Sequence, residues 1–190
     1  PQVLQLNKKN QKKTYLKFKD SAYDAYLSSN QSYESKSFKF FYSSLRTPTS
    51  IYSHNFVSHS RKKLWQQNIN NFKENEYVSN RIYIKARDGQ KIPVSLVYKK
   101  GINLSKAPML MYGYGSYGLV IEPSFKLSFL PLIDSGFIFV IAHIRGGQDM
   151  GRDWYDQGRM LNKMNTFYDF IDCTKGLHDK NYGNVKNTFA

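Results

Sequence analysis

The stretch MLMYGYGSYG, residues 109–118, joins a short apolar run to a loop of glycine and tyrosine. The run suits a buried strand, and the last six residues fit the pattern G-x-G-x-x-G. In a dinucleotide-binding fold this pattern opens a helix that faces a pyrophosphate, and an acidic residue follows the next strand. Here residues 119–123 (LVIEP) favour an extended chain, and Asp134 precedes the next strand. The loop is therefore not expected to bind a dinucleotide.

The residues around this loop predict an α/β domain with a partly parallel sheet. Residues 81–87 and 92–98 alternate in polarity about Asp88-Gly89, which is typical of a hairpin. Residues 137–143 form an apolar run that suits a buried strand, and residues 185–190 favour the approach to a further strand. The strand that enters the glycine loop is then the third of this region.

Two segments favour helix. Residues 165–178 carry apolar side chains at 167, 170, 171 and 177, with Asn165 or Thr166 as a candidate N-cap and Gly176 weakening the last turn. The mostly apolar segment 124–134 is expected to be partly helical and to be interrupted by Pro131.

The N-terminal part has a different pattern. Residues 38–45 and 51–57, and more weakly 61–66, are short β-prone runs separated by polar turns. Such spacing favours a β-meander, for example a propeller blade. We therefore predict two regions: residues 1–78 as the C-terminal part of a β-propeller, and residues 79–190 as the N-terminal part of an α/β domain.

Charge and hydropathy exclude some functions and leave others open. The net charge of +14 is uneven, with 19 Lys and Arg against 6 Asp and Glu in residues 1–100, and 9 against 8 in the remainder. A basic half can bind nucleic acid, but the basic residues are spread over strand-like segments apart from the cluster at 8–13, so we favour a solvated surface. No apolar run is long enough to span a membrane. The single cysteine, Cys173, fits a reducing cytoplasmic location.

Candidate site residues lie where the third and fourth predicted strands of the α/β region end. Gly113 and Gly115 allow the chain to turn sharply beneath a substrate carbonyl, and the Tyr114 hydroxyl is a candidate donor to an oxyanion. The alternative is that Tyr114 and Tyr117 only pack against neighbouring loops. Arg145 is expected to brace the loops at the strand end.

Three further sets of residues are expected to be structural. His143 is expected to pack in the core rather than act as a catalytic base. Cys173 is expected to be a small core residue. The aspartates at 149, 153 and 156 are expected to lie in a solvated loop without a metal.

Several motifs in one order carry a resemblance to a known family. They are YGYGSYG, LIDSGF at 132–137, AHIRGG at 142–147, GRDWY at 151–155 and KMNTF at 163–167. Together they strongly resemble the prolyl oligopeptidase family, and within it the oligopeptidase B branch. The resemblance covers about residues 81–183 well and 38–58 weakly. It implies a cytosolic serine peptidase of short peptides, with a propeller over an α/β-hydrolase domain and no cofactor or metal.

The resemblance also implies roles for individual residues. Tyr114 would help bind the oxyanion, Tyr117 would form an aromatic wall of the first specificity pocket, and Asn165 would lie at its edge. Glu122 matches one of the acidic residues that attract basic substrate side chains in the oligopeptidase B branch. Ser124 stands where a second acid is expected, which puts affinity for paired basic residues in doubt.

The catalytic serine is missing from the 190 residues. A hydrolase nucleophile lies on a sharp turn in the pattern G-x-S-x-G, and no serine here has glycine at both positions; Ser116 has Tyr114 at −2. We therefore expect a fragment that ends before its nucleophile and is inactive alone. Two alternatives remain open: a non-catalytic remnant or half of a split protein that acts with a complementary chain, and a basic nucleic-acid-binding module.

Overall fold

The computed structural model describes residues 3–6, 10–32 and 34–190. The chain divides into two compact units, one of residues 1–74 with 123–126 and one of residues 75–122 with 127–190. Lys8 and Lys9 of the basic cluster lie outside the described residues.

The first unit is a β-structure. A four-stranded antiparallel sheet has the order β3-β4-β5-β6, and β1 and β2 form a separate antiparallel pair. The bounds are Leu4–Leu6 (β1), Lys13–Tyr15 (β2), Tyr23–Leu27 (β3), Ser37–Ser44 (β4), Ser50–Asn55 (β5) and Arg61–Gln66 (β6). The three strands predicted in this part are confirmed, while β1, β2 and β3 had not been predicted.

Strand β4 shows why this sheet forms. Phe38, Phe40 and Tyr42 are buried on one face, and Lys39 between them is exposed, which is the period of two that a half-buried strand requires. The Phe18 ring stacks on Tyr42 with centroids 5.0 Å apart. The core of this unit is therefore largely aromatic.

The second unit contains a five-stranded mixed sheet of order β11-β9-β10-β8-β7. Its strands are Tyr77–Lys85 (β7), Lys91–Lys99 (β8), Met109–Tyr112 (β9), Ile138–Ala142 (β10) and Thr188–Phe189 (β11). Strands β7, β8 and β10 pair antiparallel, whereas β10, β9 and β11 pair in parallel. The predicted hairpin and the partly parallel sheet are confirmed.

Three helices belong to this unit: Leu130–Asp134 (α1), Arg152–Asp156 (α2) and Met164–Asp179 (α3). Single 3₁₀ turns occupy Glu74–Glu76, Leu127–Phe129, Met160–Asn162 and Val185–Asn187. Pro131 lies in the first turn of α1, where a missing N–H costs nothing. The expectation that Pro131 interrupts this helix was therefore wrong.

Helix α3 differs from its sequence prediction in both its cap and its buried face. Its N-cap is Lys163, without a side-chain cap bond, so neither Asn165 nor Thr166 caps it. Its buried residues are Thr166, Asp169, Cys173 and Leu177, whereas Phe167 and Ile171 of the predicted stripe are exposed. The buried face is rotated because Thr166 and Asp169 have polar partners beneath the helix. Cys173 is a fully buried free thiol, as expected.

Gly176 allows α3 to approach the sheet. A β-carbon at this position would lie 2.5 Å from the Ile84 Cγ2 atom on β7. The close packing of α3 against β7 requires a residue without a side chain at position 176, and α3 continues through this glycine.

Candidate active site

The two loops predicted to form the site lie side by side because β9 and β10 are parallel neighbours. Ile138 is in register with Met109, and Ile141 with Tyr112, so both strands end at the same edge of the sheet. Parallel strands place binding loops at this edge. The glycine loop 113–118 follows β9, and the loop 143–151 follows β10.

The two loops are packed backbone against backbone. The N–H of Gly118 donates to the carbonyl of Gly146 over 3.0 Å. A β-carbon on Gly146 would overlap the Gly115 carbonyl oxygen at 2.1 Å. No residue other than glycine fits at Gly146, and the second loop thereby fixes the path of the first.

Gly113 and Gly115 meet the steric demands of their predicted structural role. Gly115 has φ +61°, and a β-carbon there would lie 2.4 Å from Thr166 Cγ2. A β-carbon on Gly113 would lie 3.0 Å from the ring of Phe170. The backbone at Gly115 therefore approaches α3 too closely for a side chain, and a side chain at position 113 would require the Phe170 ring to move.

Lys163 and Thr166 hold these loops from α3. The Lys163 Nζ atom donates to the Gly115 carbonyl over 2.5 Å and to the Ser116 hydroxyl over 2.7 Å. The Thr166 hydroxyl donates to the carbonyl of Arg145 over 2.7 Å. Sequence reasoning assigned neither contact, because the partners lie 21 to 48 residues away.

The two tyrosines of the glycine loop are directed to solvent. Tyr114 is 43% exposed and Tyr117 is 83% exposed. The Tyr114 hydroxyl has no hydrogen-bond partner among the residues that the structure describes. Tyr117 has φ +55°, an uncommon conformation for a residue with a bulky side chain. The high exposure of Tyr117 argues against the alternative that its ring only packs against neighbouring loops.

Arg145 braces the second loop. Its side chain is 3% exposed and donates to both carboxylate oxygens of Asp169, and its Nη1 atom donates to Asp88 over 2.6 Å. The hydrogen bond to Asp169 raises the pKa of the Arg145 guanidinium. Burial opposes ionisation of Asp88, but the hydrogen bond from Arg145 still holds the pKa of this carboxyl below its ordinary value. These contacts occupy the guanidinium with protein groups.

A serine, a histidine and an aspartate form a buried chain of hydrogen bonds nearby. The distances are 2.8 Å from Ser95 Oγ to His143 Nε2 and 2.8 Å from His143 Nδ1 to Asp149 Oδ1. Because the carboxylate can only accept, Nδ1 carries the proton and Nε2 accepts from the serine. Ser95 lies within β8 and is fully buried, and Arg81 donates to its hydroxyl over 3.2 Å.

This chain of bonds resembles a catalytic triad in its distances but not in its access. A nucleophile must reach a substrate carbonyl, and the Ser95 hydroxyl is enclosed by protein. The expectation that His143 is a packed residue is confirmed. The expectation that Asp149 lies in a solvated loop was wrong, because its carboxylate packs against the imidazole.

Asn165 has a different environment from the one expected. Its side-chain nitrogen donates to the backbone carbonyl of Gln157 over 2.9 Å. It thereby supports the segment between α2 and α3. Its role at the edge of a specificity pocket stays a prediction.

Glu122 and Ser124 fall in different compact units. Glu122 is half-buried at the end of the extended segment after the glycine loop. Ser124 lies in the segment 123–126, which belongs to the first unit. In this segment the Phe125 N–H donates a hydrogen bond to Ser43 Oγ over 2.9 Å. Their roles in substrate binding stay predictions.

Comparisons with known proteins identify the family. The sequence model described as the prolyl oligopeptidase family matches residues 123–190. Dipeptidyl aminopeptidase BI of Pseudoxanthomonas mexicana is 44% identical over 170 residues, which are 88% of this chain and 24% of that protein. Protease 2 of Moraxella lacunata is 37% identical over 84% of this chain and 24% of that protein. The chain belongs to the prolyl oligopeptidase family.

A solved structure supports the same assignment. Oligopeptidase B from Trypanosoma brucei, with covalently bound antipain, superposes with a TM-score of 0.83 at 37% identity, covering 98% of this chain and 28% of that one. The fold predicted from the sequence, the start of an α/β-hydrolase domain preceded by the last propeller strands, is confirmed. The chain spans about a quarter of the length of the curated relatives it matches. Within the described ranges, no helix combines the length and apolarity needed to cross a bilayer.

Proposed function

We propose that this chain supplies the oxyanion-binding and part of the substrate-binding apparatus of a serine-type peptidase that hydrolyses short peptides. The observation that carries the proposal is the Tyr114 hydroxyl. It is exposed, has no acceptor among the described residues, and lies in a loop at the carboxyl end of a central parallel strand. A preorganised donor of this kind stabilises the negative charge that develops on a carbonyl oxygen during acyl transfer.

The rigidity of the loop supports this role. Oxyanion stabilisation requires donors that do not reorganise during the reaction. The Lys163 ammonium group donates a hydrogen bond to the Gly115 carbonyl, and the Gly118 N–H donates one to the Gly146 carbonyl. Residues on both sides of Tyr114 and Tyr117 are thus fixed while their rings remain accessible.

The proposed substrates are short peptides cut after arginine or lysine. Glu122 would pair with a basic substrate side chain, since carboxylates bind guanidinium groups strongly. Two of the similar solved structures are oligopeptidases B. Ser124, without a charge, would contribute less to a second basic side chain. Asn165 and Tyr117 would line the first pocket.

The serine, acid and histidine of the reaction would come from outside these 190 residues, so the chain alone is expected to be inactive. The alternative is that it works with a complementary chain. Strand β11 supports such pairing because it lies at the edge of the five-stranded sheet and Phe189 on it is exposed. An uncovered edge is a template for a further strand.

Domain assignment and location complete the proposal. We assign residues 1–78 to a propeller and 79–190 to the hydrolase domain, close to the division between the compact units after Glu74. The protein would act in the cytoplasm, which the buried free thiol of Cys173 suits.

The decisive experiment expresses the whole reading frame that encodes these residues and compares Tyr114→Phe with Tyr112→Phe. Tyr112 is an equally exposed tyrosine at the end of β9 and serves as the matched control. Loss of one oxyanion donor lowers kcat about 100-fold or more, so we expect this loss for Tyr114→Phe and little change for Tyr112→Phe. Equal activity of the two variants on an arginine-containing peptide would overturn the role of Tyr114.

A further inference from the structure

Lys163 has an unusual environment for a lysine. The residue is half-buried, and its Nζ atom contacts a carbonyl oxygen, the Ser116 hydroxyl and, at 5.8 Å, the ring of Phe167. No carboxylate pairs with it among the residues that the structure describes. Burial lowers the pKa of the ammonium group. Lys163 is also the N-cap of α3, and the helix dipole disfavours a cation there.

Ser116 is the natural partner of such an amine. Its hydroxyl lies 2.7 Å from Nζ and is partly accessible. A neutral amine can donate one hydrogen to the Gly115 carbonyl and accept the serine proton with its lone pair. The geometry thus suits proton transfer from oxygen to nitrogen.

The backbone around Ser116 has features of a nucleophile turn. Gly115 on one side has φ +61°, and Tyr117 on the other has φ +55°. Non-glycine residues in this region are strained and are concentrated at functional sites. The backbone N–H groups of Ser116 and Tyr117 have no acceptor among the described residues, although those of Gly118 and Leu119 do. The N–H after a nucleophile is a frequent oxyanion donor.

From this geometry we propose that Ser116 and Lys163 form a serine–lysine dyad that accepts acyl groups from small activated carboxylic esters. The Ser116 oxygen attacks the ester carbonyl, and Lys163 Nζ takes the hydroxyl proton. When the tetrahedral adduct collapses, the carbon–oxygen bond to the leaving group breaks, and the leaving alcohol takes the proton from Lys163. Water then hydrolyses the acyl-serine, with Lys163 again accepting and returning a proton.

This activity is separate from the proposed peptidase function. It uses only residues of this chain, and it is limited to esters because an amine leaving group needs stronger protonation than a phenolate. The purified chain is therefore expected to turn over p-nitrophenyl acetate and to leave peptides intact. If Tyr114→Phe keeps its peptidase activity, the proposed dyad is not affected. Absence of the esterase activity would likewise leave the proposed role of Tyr114 unaffected.

The test treats the purified 190-residue chain with p-nitrophenyl acetate and locates the acetyl group by peptide mass spectrometry. We expect a burst of nitrophenolate and acetylation at Ser116. Ser116→Ala should abolish the burst. Lys163→Met should slow it about 100-fold, the usual contribution of a general base. Lys163→Arg preserves a cation that can hold the loop but cannot act as a base, so it should be as slow as Lys163→Met.

Two control variants separate the dyad from nonspecific acylation and from misfolding. Lys175→Met removes an exposed lysine of the same helix, and Ser135→Ala removes an exposed serine; both should leave the burst unchanged. Melting curves identify variants that have lost their fold. Acetyl on Lys163 without acetyl on Ser116, or an unchanged burst in folded Ser116→Ala or Lys163→Arg, would refute the dyad.

Discussion

Arg145, after β10, and Asp169, in α3, form a buried ion pair with two parallel hydrogen bonds of 2.5 and 2.9 Å. Both side chains are at most 3% exposed, and the Arg145 N–H also donates to the Asp169 carboxylate over 3.0 Å. One carboxylate thus ties the loop at the strand end to the helix that carries Lys163 and Thr166.

Asp169→Asn should strongly destabilise the second unit. Removing one partner of a buried ion pair costs up to about 3–5 kcal/mol of unfolding free energy, and here the Arg145 guanidinium would keep only its ion pair with the more exposed Asp88. The matched control is Asp172→Asn, one turn further along α3, which pairs with the more exposed Arg87. Urea titration should show a much smaller loss of unfolding free energy for Asp172→Asn than for Asp169→Asn. Equal losses in the two variants would contradict the buried role of Asp169.

Asp20 should make the first unit sensitive to acid. Burial raises its pKa, but hydrogen bonds from Arg46 and Tyr42 outweigh this and hold the pKa below the ordinary 3.8. The folded state therefore gains stability from Asp20 above that pH and loses it as pH falls through the folded pKa. Asp20→Asn should lower the urea midpoint at neutral pH and flatten its decline in acid.

Asp24 provides a control in the same unit, because its pKa is shifted in the opposite direction from that of Asp20. Burial raises the pKa of the Asp24 carboxyl, so its charge opposes folding above the folded pKa. Asp24→Asn should leave the urea midpoint at neutral pH unchanged or slightly raised. An acid profile of Asp20→Asn that parallels the unsubstituted chain would overturn the assignment to Asp20.

Gly176→Ala should destabilise the chain although alanine favours helix. Helix propensity alone would give a gain of about 1 kcal/mol. The added β-carbon, however, would lie 2.5 Å from Ile84 Cγ2. In the background of Ile84→Ala the clash is absent, so Gly176→Ala should then be neutral or stabilising. A double-mutant cycle by thermal unfolding measures this coupling, and additivity would argue against the close contact.

Ser95 should matter for stability and not for chemistry. Ser95→Ala removes the hydroxyl that lies 2.8 Å from the buried His143 Nε2 atom, and loss of a hydrogen bond to a buried polar group costs about 1–3 kcal/mol of unfolding free energy. A fluorophosphonate, which phosphonylates accessible activated serines with loss of fluoride, should not label Ser95 in the folded chain. Its detection on the Ser95 peptide would contradict the enclosed position of this hydroxyl.

The strands of the second unit could be predicted from sequence because their burial is local. In β8 and β10 the apolar residues are adjacent or alternate, and the Asp88-Gly89 turn joins β7 to β8 as the alternation indicated. The positions of Tyr114 and Arg145 in loops follow from the same succession of strands along the chain. The spacing of apolar residues along a short segment is sufficient to predict these strands and turns.

The face of α3 and the environment of His143 could not be read in the same way. Of the predicted apolar stripe, Leu177 is buried and Phe170 packs against the core, but Phe167 and Ile171 are exposed. Thr166 and Asp169 are buried instead. Their partners, the carbonyl and the guanidinium of Arg145, are more than 20 residues away. Asp169 stands four and eight residues before Cys173 and Leu177, on the same helix face, and this position with an arginine at a strand end was the available signal for the pair.

The sequence by itself determined the family, the succession of strands along the second unit and the loops in which Tyr114 and Arg145 lie, because ordered motifs and hydrophobic periodicity are properties of the chain. Only the tertiary structure decided which polar atoms meet: Lys163 with Ser116, Arg145 with Asp169, and His143 with Ser95 and Asp149. Such contacts depend on the parallel pairing of β9 with β10 and on the close approach of α3 at its glycine contacts. Sequence spacing does not specify hydrogen-bond geometry across elements, and that geometry determines which hydroxyl can react and which is enclosed.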